Sequence, residues 1–218
     1  KTEINLAPDF VMHNDVGFDE AKWTQRHSFT SKFEKLRVKQ EFRDISKKFF
    51  TLVGAPAQQG EIGYLIDVSA TPSPKWALSG QFDAFRDRLI PNPEDTNRLN
   101  QHIDASISYF PCEEVSYGLT FQDWDDTGRI GPTRLRTLGL QYNERFDLWG
   151  RNATFFSRYT HRENHFLTNP LNDFRQNQIT LGIYTPLVWG INFSLQREWS
   201  VLEEVELGET SYPGALVY

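Results

Sequence analysis

Ile103-Asp104-Ala105-Ser106-Ile107-Ser108-Tyr109, then Phe110-Pro111-Cys112-Glu113-Glu114, then Val115-Ser116-Tyr117-Gly118-Leu119-Thr120-Phe121-Gln122, is the stretch that decides how the chain folds. Both outer runs alternate with period two, which in an extended chain sends successive side chains to opposite faces. One face reads Ile103, Ala105, Ile107, Tyr109 and Val115, Tyr117, Leu119, Phe121; the other reads Asp104, Ser106, Ser108 and Ser116, Gly118, Thr120, Gln122. The proline-containing break predicts a turn, so the stretch is a hairpin with one apolar and one polar face.

The same device repeats on both sides. Tyr64, Ile66, Val68 and Ala70 precede a turn at Thr71–Pro74, and Trp76, Leu78, Gly80, Phe82 and Ala84 follow it. Leu138, Leu140 and Tyr142 lead to a turn near residues 143–147, after which come Trp149, Ala153, Phe155 and Tyr159. Ile179, Leu181 and Ile183 reach a turn at Thr185-Pro186, followed by Trp189, Ile191, Phe193 and Leu195. Upstream, Phe29, Ser31 and Phe33 turn at Glu34-Lys35 into Leu36, Val38, Gln40 and Phe42; the alternation Leu36-Arg37-Val38-Lys39 favours strand over a Lys-, Glu- and Phe-rich helix across residues 19–50.

These short turns recur roughly every 34 to 40 residues, and the connections at 47–60, 89–100, 125–132 and 162–175 are longer and rich in Pro, Asn, Asp and Gly. A propeller shares that period but needs four short strands per unit, and here there are two long ones. The expected fold is one all-β domain over residues 1–218, an antiparallel up-and-down arrangement whose clearest strands lie within 62–200.

Composition narrows the functional classes. The chain has 218 residues and a net charge of −6 (23 basic, 29 acidic), without the basic stripe of a nucleic-acid-binding protein. Its 39% hydrophobic content and 17 Phe, 8 Tyr and 6 Trp exclude disorder. The lone Cys112 excludes an internal disulfide or a cysteine metal cage. No apolar run approaches the ~20 residues of a membrane helix. The start at Lys1, without a signal-like stretch, reads as a mature form or an excised piece.

Alternation is symmetric, so the solvent of the apolar face must be argued separately. Aromatics of the apolar face gather at strand ends: Trp76, Tyr109, Tyr117, Tyr142, Trp149 and Trp189 near the short turns, and Tyr64, Phe121, Trp124, Tyr159 and Trp199 near the long loops. Ile66, Val68, Leu78, Ala105, Ile107, Leu119, Leu138, Leu140, Leu181 and Ile191 lie between them, with Phe82, Phe155 and Phe193 departing from the sorting. Amphipathic rings favour the two interfaces of a bilayer, whereas a dry core has no reason to sort them into belts. Strands of ~10–12 residues match the ~9–11 of a tilted spanning strand. The polar face, rich in Ser, Thr, Gln, Gly and Asn, suits a wetted lumen. A soluble barrel enclosing an apolar ligand is the alternative.

On these hairpins, and on pairs such as Trp76/Trp189 and Tyr64/Tyr159, the chain resembles Gram-negative outer-membrane β-barrel proteins, the porin-like superclass. The resemblance covers roughly residues 26–200 and includes Ser73-Pro74-Lys75-Trp76-Ala77-Leu78-Ser79-Gly80, a frequent start of an upward strand in that class. It implies a transmembrane barrel in the outer membrane, contact with lipid and lipopolysaccharide, and commonly solute passage, with about 10–12 strands expected if the chain closes alone. With short turns and termini on the periplasmic side, as in that class, a further strand must descend at each end. Residues 3–18 would supply the first. At the other end Pro213 and Gly214 interrupt, and Ala215–Tyr218 is too short to span, so the chain reads as a segment completed by further strands or partner subunits.

The lumen side would carry Arg37, Lys39, Glu41 and Arg43 on one strand, with Asp67, Asp83, Asp104, Arg158, Gln196 and Glu198 elsewhere. Charge rings select permeating solutes by sign; the same charges pairing across a narrow barrel would instead rigidify it. The two readings are a pore for hydrophilic solutes and a non-conducting scaffold or export component that binds through the loops at 89–100 and 162–175. No catalytic constellation or cofactor motif emerges. Asp126-Thr127-Gly128 lacks the second triplet of an aspartic protease, Asp123-x-Asp125-x-Thr127-Gly128 has Arg134 where a calcium loop needs Glu, and His161 and His165 share a metal only on a helix. Cys112 reads as a free thiol in a turn.

Overall fold

The computed structural model describes residues 2–19, 22–46, 60–87, 99–126, 133–167, 169–186, 192–204 and 208–217. Thirteen strands follow one another in a single antiparallel sheet whose spatial order is the chain order: β1 (Thr2–Ala7), β2 (Phe10–Asp19), β3 (Lys22–Phe33), β4 (Leu36–Ile45), β5 (Glu61–Ser73), β6 (Trp76–Asp87), β7 (Asn100–Tyr109), β8 (Val115–Asp126), β9 (Thr133–Asp147), β10 (Asn152–Phe166), β11 (Phe174–Pro186), β12 (Asn192–Glu204) and β13 (Gly208–Val217). Among the described residues every ladder joins consecutive strands, and none joins β13 to β1.

Several expectations move. Residues 3–18 form no single descending strand: β1 and β2 make a hairpin around Pro8-Asp9, and β2 alone has spanning length. Gly208–Val217 is a full strand in unbroken register with β12, placing Pro213 opposite Trp199 and Gly214 opposite Glu198. Proline is tolerated in a sheet only where its missing N–H faces away from a ladder, and in this sheet β13 is the terminal strand. The described residues thus hold thirteen strands in one open sheet, with ten to twelve expected of a chain closing alone.

The third hairpin turns later than its composition suggests. β9 runs through Asp147, and Leu148 and Arg151 exchange backbone hydrogen bonds (2.8 and 3.2 Å) around Trp149-Gly150. Both central residues have positive φ (56° and 76°), the pattern of a type I′ turn, whose twist matches that of the flanking strands. The Gly150 N–H donates to Asp147 Oδ1 at 2.9 Å. Residues 162–166 and 174–175, expected in a long loop, belong to β10 and β11, so the connection shortens to 167–173 and holds a 3₁₀ turn at Pro170–Asn172.

Burial runs opposite to that of a water-soluble sheet. Among the described residues the buried apolar side chains are Ile45, Phe85 and Ala153, against eleven buried polar or charged ones. Eight of those eleven, Ser28, Thr30, Glu41, Arg43, Asp83, Asn100, Thr180 and Ser200, share the polar face by register. Meanwhile Leu78, Ile103, Ile107, Leu119, Leu138, Leu140, Ile179 and Leu195 are 37–48% exposed on the other face. An exposed aliphatic surface drawn from six strands would be unfavourable in water, because burial of such side chains is the dominant drive to fold.

Candidate functional site: the polar face

Ladder register carries the polar parity unbroken across the sheet, so residues distant in sequence become cross-strand neighbours. Lys39 lies opposite Asp67, Asp67 opposite Gln81, Gln81 opposite Asp104, and Asp104 opposite Gln122. One row nearer the short turns, Arg37, Ser69, Ser79, Ser106, Thr120, Gly139, Thr160, Gln178 and Ser200 follow one another from β4 to β12. This row is almost wholly hydroxyl and amide, and Ser79 and Ser106 hydrogen-bond through their hydroxyls at 2.7 Å. Arg37, Lys39, Glu41, Arg43, Asp67, Asp83, Asp104, Arg158, Gln196 and Glu198 all stand on this face.

The charges are unevenly distributed. On β3–β6 they form a paired network centred on Arg43, whose side chain is 1% exposed. Its Nε donates to Glu61 Oε2 at 2.8 Å, its Nη2 donates to Asp83 Oδ2 at 3.0 Å, and Nη1 lies 2.9 Å from Asp83 Oδ1. The guanidinium also covers the Phe85 ring, 5.3 Å from its centroid. Glu41, 7% exposed, receives Lys39 Nζ at 2.9 Å and lies 3.2 Å from Arg26 Nε, while Arg37 and Asp67 sit 3.9 Å apart. The buried guanidinium is held against two carboxylates by one hydrogen bond to each, through Nε to Glu61 and Nη2 to Asp83, with Nη1 and Asp83 Oδ1 in ionic contact only.

Trp124 corrects the sequence reading. It stands three residues from Phe121, an odd separation, so the two rings face opposite sides. Trp124 belongs to the polar face, where its indole N–H reaches both Asp104 oxygens at 3.2 Å and its ring stacks on His102 with centroids 4.9 Å apart. His102 in turn meets Phe85 edge-on at 5.2 Å, so a cation–aromatic stack runs from Arg43 across β4, β6, β7 and β8. Arg26, Glu61, His102 and Trp124 were absent from the expected lumen set; counting parity from Phe121 recovers Trp124, but the partners of Arg43 lie 18 and 40 residues away.

The opposite face is layered along the strands. At the short-turn end Trp76, Tyr109, Tyr117, Tyr142 and Phe155 form a continuous chain of ring contacts across β6–β10, with centroids 4.6, 6.3, 5.2 and 6.2 Å apart. Trp149 is not part of it: it occupies the turn itself and is 90% exposed. Trp189 and Ile191 lie outside the described residues. Beyond the aliphatic zone stand Tyr64, Phe121, Tyr159 and Trp199, and the Tyr64 and Tyr159 hydroxyls donate to Gln40 and Asn177 at 2.9 and 2.8 Å. Past these rings comes an ionic band in which Asp123, Arg136, Glu163, Arg175 and Glu203 are successive cross-strand neighbours of alternating sign.

That band absorbs two motifs singled out above. Asp123 is gripped in two-point contact by the Arg134 guanidinium (2.9 and 2.7 Å), and Thr127 and Gly128 lie outside the described residues. His161 and His165 stand on a strand, not a helix, and each has its own partner: Asn177 Oδ1 at 2.8 Å and Asp173 Oδ2 at 2.9 Å. No group of three His, Cys, Asp or Glu side chains among the described residues is arranged to hold a metal. Cys112 is an exposed free thiol.

No family model and no curated protein matches the chain. Among solved structures it is similar to OmpTΔL8, a loop L8 deletion mutant of OmpT, an outer membrane protein of Vibrio cholerae, with 11% identity, a TM-score of 0.49, 96% of this chain covered and 74% of that one. At that distance the fold rests on the ladders themselves: an all-β, antiparallel, up-and-down sheet whose buried side chains fall mostly on the polar face and whose exposed aliphatic ones fall on the other.

Proposed function

We propose that the chain forms the wall of an outer-membrane β-barrel whose polar face lines an aqueous passage for hydrophilic solutes. The observation that carries this reading is the reversed burial, with Arg43, Glu41 and Asp83 enclosed while Ile107, Leu119 and Leu140 are exposed. In hydrocarbon the exposed aliphatics cost nothing, and every backbone polar group must be bonded within the sheet, which barrel closure achieves. Closure by further strands or partner subunits belongs to the same proposal. The aromatic belts then meet the two bilayer interfaces, and the ionic band from Asp123 to Glu203 meets the lipopolysaccharide headgroup layer.

The paired network favours a second reading, a non-conducting scaffold, because on β3–β6 Arg26, Arg37, Lys39 and Arg43 each stand against a carboxylate. Planar-bilayer recording with the purified chain separates the two. Discrete current steps whose reversal potential in a KCl gradient moves toward cation preference in Arg37→Glu support the passage. Silence across many insertions supports the scaffold.

A further inference from the structure

We propose that the polar face around Arg158 is a binding subsite for small hydroxylated carboxylates of the sugar-acid type; the site rests on the reading that this face meets water. A groove of about 390 Å³ opens there, lined by Ser106, Ser108, Thr120, Gln141, Arg158 and Thr160 among others, a volume within the ~300–1,000 Å³ of small-molecule sites. Glycines make the room. Gly118 and Gly139 stand on the polar face of β8 and β9, where any larger residue would project into the groove.

Arg158 differs from the cations of β3–β4. Its side chain is exposed, and among the described residues no carboxylate is paired with it, whereas Arg26, Arg37, Lys39 and Arg43 are all engaged. Its cross-strand neighbours, Gln141 and Thr180, are neutral. Glu198 stands beyond Thr180 on the same face, two strands from Arg158, a separation that Arg43 and Asp83 bridge, but among the described residues no ion pair joins Glu198 to Arg158.

The fork of Arg158 is thus open to a carboxylate in two-point contact. The surrounding hydroxyls and the Gln141 amide both donate and accept, which is what a chain of ligand hydroxyls needs and what a simple anion would not use. A polyol without charge would leave the guanidinium unanswered, and a carboxylate without hydroxyls would leave the row unused. Recognition requires both groups on one molecule.

Isothermal titration of the full chain, folded in detergent micelles, with gluconate tests the site. Gluconate is expected to bind, with sorbitol (hydroxyls only) and acetate (carboxylate only) each roughly tenfold weaker or more, the loss of one charge-assisted contact. Arg158→Gln weakens gluconate by a similar factor, while Arg175→Gln on the opposite face leaves it unchanged. Gly118→Val, whose added Cβ has 3.5 Å to Gln141 Cβ, narrows the groove without removing a charge and also weakens gluconate. Equal affinity of the parent chain and Arg158→Gln, or no gluconate binding by folded parent chain, overturns the subsite. Gluconate binding without bilayer currents leaves the subsite standing and removes the passage; currents without gluconate binding do the reverse.

Discussion

Arg43→Met tests whether the paired network holds the sheet together. The arginine side chain is 1% exposed and contacts Glu61 and Asp83, whose side chains are 17% and 12% exposed. Methionine matches much of its length but leaves two carboxylates without their shared cation, each too enclosed to be rehydrated without opening the network. Breaking a buried ion pair from one side costs about 3–5 kcal/mol, most of it from the charge left behind. Neutralising what remains, in Arg43→Met with Glu61→Gln and Asp83→Asn, should therefore recover most of the loss. The assay is reversible urea unfolding in micelles or bilayers, followed by tryptophan emission. In a double-mutant cycle Asp83→Asn should be costly alone and nearly neutral or favourable beside Arg43→Met, a coupling well above the few tenths of a kcal/mol seen for independent sites. An Arg43→Met chain within ~1 kcal/mol of the parent, or additive single costs, would show that the network is not a unit.

Three further outcomes follow from particular contacts. Leu140 and Gln141 are adjacent on opposite faces, so Leu140→Arg should cost ~2–4 kcal/mol in bilayer unfolding while Gln141→Arg stays near neutral; equal costs would remove the assignment of faces. Gly182 lies under the Phe156 ring, and Gly182→Ala should displace it at a cost of about 1–3 kcal/mol, visible as a lowered urea midpoint. Asp173, in the 167–173 connection, is pushed up by burial, but the Phe166 N–H at 2.7 Å and the His165 ring outweigh that and hold its carboxyl below its ordinary value. The depressed group contributes stability that is complete above the ordinary carboxylate pKa of ~3.9 and lost as pH falls through its lower native value. The Phe166 amide chemical shift should titrate there, and a midpoint above ~4, or the same titration in Asp173→Asn, contradicts the pairing.

Much of the fold was legible because period-two alternation is covalent geometry. Ile107, Leu119 and Leu140 declare one face and Ser106, Thr120 and Gln141 the other before any partner strand is known. The expected lumen residues share one face for that reason. Composition alone misleads where parity or a turn decides the face. Trp124 lies near Phe121, yet the three-residue separation turns it to the opposite face, and Trp149 follows the strand pattern, yet Gly150 after it suits a two-residue turn. Pro213-Gly214 suggested a break, yet a terminal strand tolerates a missing donor.

What the chain determined by itself is the two-faced character of each strand, because adjacent side chains must diverge in an extended backbone whatever surrounds it. Which side chains meet across strands was decided only in three dimensions. Arg43 finds Glu61 and Asp83, Trp124 finds Asp104, and Ser69 through Ser200 align into one hydroxyl row, because register is a property of paired strands and a slip of one residue would exchange the faces. The groove beside Arg158 arises in the same way, from glycines on strands that only the ladder makes neighbours.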